Sequence, residues 1–470
     1  MNQASMNTIY KIQRPIKVLQ FGTGNFLRGF ADWMIDIMNE SIDFDGNVHV
    51  VQVHGKTVPE EFIQQNYNYH VLIRGIMNEK VIEENRLITC ISGITNANVD
   101  YRSYLELAKL PDLQCIISNT TEAGIVFDPL DNSGIDKTAV TFPGKLTAFL
   151  FHRFQFFKGA HEKGLTILPC ELIEKNGEEL KSCILKYAKL WELSEDFMKW
   201  IEISNTFCNT LVDRIVPGLP KDNFEEIQKK LGFEDQLMVM AEPYHLWVIE
   251  GSEDLERKFP ACQAGIQVKF VKDLSPYRTR KVRILNGSHT AMVPLAYLSG
   301  LRTVRESVED HNMGKIIHVI IFEEIIPTLD LPKAELEQFA SDVLDRFRNP
   351  FIQHELISIS LNSISKFKAR VLPSLLEYKN RQGIWSKYLT RSLAALIYFY
   401  SGKNQGENIP LKDEIKVLDF FGKVWKENDL YHVVNQTLQR SDFWGVDLSK
   451  MEGLSAILIR ELENYQYGVR

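Results

Sequence analysis

Val18-Leu-Gln-Phe-Gly-Thr-Gly-Asn-Phe-Leu-Arg-Gly29 is the stretch that decides the fold. Apolar residues run up to Phe21, Gly22 and Gly24 follow at once, and Asn25 comes next. Beyond them Phe26, Phe30, Trp33 and Ile37 recur four, three and four residues apart, the spacing of one apolar helix face. The stretch therefore reads as strand, tight glycine turn, helix. Such a turn lets backbone N–H groups approach a pyrophosphate, and the helix N-terminus adds a favourable dipole. In the dinucleotide pattern G-x-G-x-x-G, Leu27 stands where the third glycine belongs, and Gly29 arrives two places late. An ordinary strand-to-helix turn has the same G-x-G, so both readings stay open on this stretch alone.

Outward from it, the first half of the chain alternates. Strands are expected at Lys17–Phe21, Val48–Val53, Leu113–Ser118 and Leu165–Leu168, with Leu237–Met240 ambiguous. Helices are expected at Phe26–Met38, Tyr101–Leu110, Lys145–Phe157 and Glu178–Leu190. This alternation implies an α/β fold, a Rossmann-type, mostly parallel sheet with helices on both faces. Ligands of such sheets sit beyond the carboxyl ends of the strands, which singles out Gly22–Arg28, Asn119–Gly124 and Pro169–Leu172. The second strand runs into Val53-His54-Gly55-Lys56 without the acid that binds adenosine ribose hydroxyls, so this motif does not support NAD. Lys56 could favour a 2′-phosphate or be a solvated loop lysine.

From about Lys281 helical periodicity dominates, at Ile316–Ile326, Lys333–Phe347, Ile359–Leu376, Ser386–Tyr400, Glu414–Trp425 and Ala456–Tyr465. The domain boundary is placed near residue 270, giving a dinucleotide-binding domain over 1–270 and a largely α-helical substrate domain over 271–470. A cleft between the two is the default ligand site.

The 470 residues are 44% hydrophobic and 24% charged, ordinary for a soluble globular protein. A net charge of −7 without a basic block argues against a nucleic-acid partner. Six scattered cysteines without a C-x-x-C suit reduced, cytoplasmic material, and no apolar run is long enough to span a bilayer. No His/Cys cluster points to a metal. Oligomeric state is left open.

The densest polar cluster is Lys281-Val-Arg-Ile-Leu-Asn-Gly-Ser-His289. On a helix at about 100° per residue, Lys281, Asn286 and His289 fall within an arc of roughly 140° and can converge on one small ligand. A cleft lysine can act as general base, and an Asn amide with an imidazole can hold a carbonyl oxygen and the alkoxide it becomes. A solvated lysine and a satisfied histidine would look the same in sequence. Tyr277-x-x-x-Lys281 copies the Tyr/Lys pair of short-chain dehydrogenases, but too far from the glycine turn. Asp213-Arg214, inside an apolar frame, suggests a buried ion pair, or else a carboxylate that orients Lys281 or a substrate hydroxyl.

Together these motifs resemble the mannitol dehydrogenase family of long-chain, metal-independent polyol dehydrogenases. The resemblance rests on Gly-x-Gly-x-Phe-x-Arg at 22–28, Thr-Glu-Ala-Gly at 121–124, Pro-Cys-Glu-Leu-Ile at 169–173, Val-Asp-Arg-Ile at 212–215, Lys-x4-Asn-x2-His at 281–289 and Arg-Phe-Arg-Asn-Pro at 346–350. It spans nearly the whole chain, and is nearest to a branch acting on sugar acids. It implies NAD(H) and reversible reduction of a keto group on a linear sugar acid, a small-molecule substrate. By family analogy Lys281 is the acid/base, Asn286 and His289 polarise the substrate oxygen, and Asp213 lies near the site. Cofactor contacts are expected from Phe21, Gly22, Gly24, Asn25, Phe26, Arg28, Asn119, Thr120 and Glu122. Polyol-specific members carry Cys-Asp-Asn where this chain has Cys170-Glu171-Leu172, so the Asn that helps to hold the reacting oxygen is replaced by Leu172. A sugar acid also needs a cation for its carboxylate; Arg348, Arg283 and Lys366 are the candidates, and Lys366 matches a family substrate lysine. Other readings are a family member acting on another keto acid or a neutral polyol, and a non-catalytic dinucleotide sensor.

Overall fold

The structure, a computed structural model, describes residues 4–120, 124–221, 223–252, 254–404, 406–427 and 429–467. It divides into two compact units, Met1–Arg74 with Ile82–Leu274, and Gly75–Val81 with Ser275–Arg470.

The first unit is built on six strands: β1 (Ile16–Phe21), β2 (Asn47–Gln52), β3 (Ile91–Asn96), β4 (Cys115–Ser118), β5 (Thr166–Pro169) and β6 (Thr206–Phe207). All pair in parallel, in the order β3-β2-β1-β4-β5-β6. That is the Rossmann order, and its switch point lies between β1 and β4. A sheet covered on both faces needs nearly continuous apolar strands. In β1, Val18, Leu19, Gln20 and Phe21 are all buried, and alternate residues feed opposite faces. Val18, Val50 and Ile117 join one core, covered by Phe30, Met34 and Met38. Leu19, Phe21, Val51 and Ile116 join the other, covered by Leu146, Phe149, Leu180 and Ile184.

The helix Phe142–Phe156 starts three residues earlier than its apolar spacing predicts, because Thr141 Oγ1 accepts from the Gly144 N–H (3.1 Å) and Pro143 needs no acceptor in the first turn. Arg153 of that helix is fully buried and donates to the carbonyls of Lys163, Ala108, Leu110 and Leu113. The ambiguous run at 237–240 becomes the strand Val239–Ala241, paired in parallel with Tyr69–Met77. Thr210–Asp213 pairs antiparallel with Leu246–Glu250. Their short patterns carry no clear period in the sequence.

The second unit is largely helical. Its central helix, Gly287–Leu298, is buried almost all round. The single helix expected over 359–376 is three: Leu356–Ile359, Ser363–Arg370 and Leu372–Gln382. Asn362 takes a left-handed backbone (φ 54°), and Pro373 occupies the first turn of the last helix; each interrupts the hydrogen-bond ladder. Among the described residues no helix is long and apolar enough to cross a membrane.

Candidate active site

The expected strand, turn and helix form around Gly22. A Cβ there would lie 2.9 Å from the Asn119 carbonyl oxygen, and φ is +126°, so only glycine lets the loops after β1 and β4 close on the switch point. The Asn119 N–H donates to the Phe21 carbonyl at 3.1 Å. A Cβ on Gly24 would meet nothing within 4 Å, so the turn presents backbone to open space at a helix start, the shape a pyrophosphate needs. The helix runs as Asn25–Leu27, a π turn Arg28–Asp32, and Trp33–Ser41. The late glycine now has its reason. A Cβ on Gly29 would press to 2.9 Å on Val216 Cγ1, so Gly29 permits close packing of helix on chain, while Leu27 fills the space beside Gly22.

Side chains named for the cofactor are placed unequally. Asn25 is exposed, and Phe26 stacks on Phe30 with 4.9 Å between ring centroids. Phe21 is buried against Phe142, which leaves only its backbone for a ligand. Arg28 turns inward, donating to the Leu237 carbonyl and to Asn25 Oδ1. Its guanidinium lies over Tyr69, 5.5 Å from the ring centroid. Glu122 lies outside the described residues. Lys56 is exposed, and its turn is held by Gln52 Nε2, which donates to the carbonyls of His54 (2.8 Å) and Thr57 (3.0 Å).

Beneath the turn sits a buried network. Asp32 Oδ2 accepts from the Tyr69 hydroxyl at 2.8 Å and Gln20 Nε2 at 3.4 Å. Burial raises the Asp32 carboxyl to about 7. Sequence reasoning missed a second anchor, Glu171. It is buried and accepts from Ser118 Oγ and from both the N–H and hydroxyl of Thr120, each at 3.0 Å. Burial raises its pKa, and these donors oppose that rise. Glu171 thus locks the loop after β4 that carries Asn119. The signal was Glu171 itself, an acid two residues past the end of a buried strand. Leu172, in contrast, is 64% exposed.

Asp213 is buried at the end of Thr210–Asp213. The expected ion pair with Arg214 does not form, because consecutive residues of an extended chain point to opposite faces. Arg214 instead donates to the carbonyls of Glu242 and Gly29, each at 2.8 Å, and lies over the Trp33 ring. Burial lowers its pKa to about 9.

In the second unit, Ser275–Arg280 leads into a π turn, Lys281–Asn286, and then into Gly287–Leu298. This corrects the plain-helix arc of about 140°. A π turn bonds i to i+5 rather than i+4, so its residues five apart, here Lys281 and Asn286, come closer to one face. His289 follows on the first α turn. Its ring stacks on Phe347 (centroids 4.1 Å apart, 24°) with His354 edge-on at 5.1 Å. His289 Nε2 is buried and has no hydrogen-bond partner among the described residues. Burial first, then the charges of His354, Arg346 and Arg370, push its pKa well below the usual value, so the ring is neutral at pH 7. The Arg-Phe-Arg-Asn-Pro motif therefore reaches this helix through Phe347. Arg348 faces Asp345 at 3.6 Å. Arg283 donates to Ser374 Oγ at 3.3 Å, and Lys366 to the Ile359 carbonyl at 2.8 Å. Among the described residues no group of three His, Cys, Asp or Glu side chains is placed to hold a metal ion.

The first unit is a Rossmann sheet with a glycine turn at its switch point, and in the second a π turn carrying Lys281 and Asn286 leads into the central helix carrying His289. The sequence matches the Mannitol dehydrogenase Rossmann domain over residues 16–261 and the Mannitol dehydrogenase C-terminal domain over residues 273–466. The chain belongs to the mannitol dehydrogenase family, and is a dehydrogenase acting on a CH–OH group. It is 48% identical to an Altronate oxidoreductase of Bacillus subtilis over 445 residues, 94% of this chain and 91% of the relative. It is 42% identical to an Altronate oxidoreductase of Phocaeicola vulgatus over 99% of this chain and 98% of the relative. The fold is shared with a substrate-free D-sorbitol dehydrogenase (TM-score 0.82, 22% identity, 96% of this chain and 94% of that one). It is also shared with the Pseudomonas fluorescens mannitol 2-dehydrogenase solved with NAD and D-mannitol (TM-score 0.67, 21% identity, 97% and 93%).

Proposed function

We propose that the chain is a cytoplasmic NAD(H)-dependent oxidoreductase that interconverts D-tagaturonate and D-altronate in hexuronate breakdown. The observation that carries this reading is the 48% identity, over 94% of the chain, to an Altronate oxidoreductase. The glycine turn and the Lys281/Asn286/His289 helix supply the parts that the reaction needs.

In this reading the backbone at Gly22, Gly24 and Asn25, with the Asn119–Thr120 loop, holds the dinucleotide, and Glu122 joins it by family analogy. The bound nicotinamide supplies the hydride. Lys281 gives a proton to the substrate oxygen as the carbonyl becomes a hydroxyl, and takes it back in the reverse direction. Asn286 and His289 donate N–H groups to the same oxygen as negative charge develops on it. Because burial keeps His289 neutral, it polarises without competing as the proton source. Asp213 is assigned to a substrate hydroxyl, and no step uses a metal ion.

The test is NADH absorbance with purified protein against tagaturonate, fructuronate, fructose, mannitol and arabinitol (the last two with NAD), repeated with NADPH. Rapid NADH oxidation with tagaturonate alone is expected. Faster turnover of fructuronate, or of fructose, mannitol or arabinitol, contradicts the substrate. NADH binding without any turnover would make the chain a dinucleotide sensor.

A further inference from the structure

A keto acid carries a carboxylate that a neutral ketose lacks, and its site needs a cation with donors to spare, best a guanidinium fork. Arg348 and Arg283 each already have a partner within the second unit, and Lys366 gives one of its three N–H donors to the Ile359 carbonyl. Arg370 is placed differently. It ends the helix Ser363–Arg370, and its own backbone carbonyl lies 2.9 Å from where a Cβ on Gly287 would be. Arg370 therefore abuts the central helix between Asn286 and His289, and only a glycine at 287 allows this approach. The guanidinium is half-buried, yet no acid or hydrogen-bond acceptor engages it among the described residues.

Its charged neighbours include a second cation. Lys366 is four residues away on the same helix face, where like charges repel. Arg370 lowers the pKa of both Lys366 and the buried His289, in each case after burial itself. Asp413 raises the pKa of Lys366 in turn, but among the described residues no acid engages Arg370, and a half-buried guanidinium so placed can take an anionic ligand. Building on the keto-acid reading above, we propose that Arg370, with Lys366 beside it, holds the substrate carboxylate while Lys281, Asn286 and His289 address the keto oxygen.

The experiment measures kcat and KM with NADH for tagaturonate and for tagatose, its counterpart without the carboxylate, in wild type, Arg370→Met and Arg370→Lys. Melting temperature and NADH affinity are followed in parallel. In Arg370→Met the tagaturonate KM should rise at least about tenfold. Its tagatose KM, kcat and NADH affinity should stay within about twofold, and Arg370→Lys should fall between. Should Arg370→Met not fold, Arg370→Lys carries the same comparison. An unmoved tagaturonate KM, or equal losses on both substrates, overturns the role of Arg370 while leaving the keto-acid reading intact. A wild type that reduces tagatose but not tagaturonate overturns the keto-acid reading itself.

Discussion

Buried arginines of the first unit and the cation beside the central helix of the second are used in opposite ways. Arg153 donates to four backbone carbonyls and Arg214 to two. Their donors tie chain segments together, although Arg214 Nη2 has no partner among the described residues. Among the described residues the half-buried Arg370 engages no acceptor, and the His289 ring keeps a buried nitrogen without a partner. Folding alone disfavours the unpartnered His289 nitrogen, because an unsatisfied buried polar group costs about 1–3 kcal/mol. At His289 that unused capacity lies on the helix that directly follows Lys281 and Asn286.

That contrast can be broken by mutation. Arg153→Met should cost about 3–5 kcal/mol of stability in chemical denaturation, since four carbonyls lose their donor. Arg370→Met should melt within a few degrees of wild type. Equal losses in the two variants would erase the distinction.

A smaller effect tests the network under the glycine turn. Burial holds the Asp32 carboxyl protonated up to about 7, whereas the unfolded chain releases that proton near 3.8. Between these values the folded state binds more protons, so stability falls as pH rises through the window and levels off above it. Asp32→Asn should remove that slope and be more stable than wild type by about 2–4 kcal/mol at pH 8. Parallel pH profiles for the two proteins would contradict the raised value.

The smallest change separates two neighbouring glycines. Gly22→Ala should lose about 1–3 kcal/mol, because its backbone is left-handed and its Cβ would meet the Asn119 carbonyl. Gly24→Ala should keep its stability, having open space, yet weaken NADH binding in a fluorescence titration. Equal stability of both would mean that the turn relaxes freely.

Much of the first unit was legible because its evidence is local. The apolar run before Gly22 and the four-three-four spacing after it need only sequence distance to be read. Gly29 looked like a displaced motif residue until Val216, remote in sequence, was seen against it. The Lys281, Asn286 and His289 positions were legible as residue types, but the π turn between them was not, since a 3.6-residue period has no term for one wider turn. The division at Asn362 and Pro373 was only half visible, because a left-handed asparagine leaves no mark on hydrophobic spacing. Arg370 was one arginine among many: what sets it apart is its place against Gly287, between Asn286 and His289, and a contact so remote in sequence has no local pattern. In Cys170-Glu171-Leu172 the departure from the family motif is Leu172, whereas the bonds of Glu171 to Ser118 and Thr120 join segments about fifty residues apart and leave no local pattern.

The measurement that bears most directly on the account is NADH oxidation with tagaturonate by wild type and Lys281→Ala, with NADH affinity measured for both. In Lys281→Ala turnover should fall by at least about a hundredfold, the scale of a removed general acid, with NADH affinity nearly unchanged. A Lys281→Ala protein that turns over normally would contradict it.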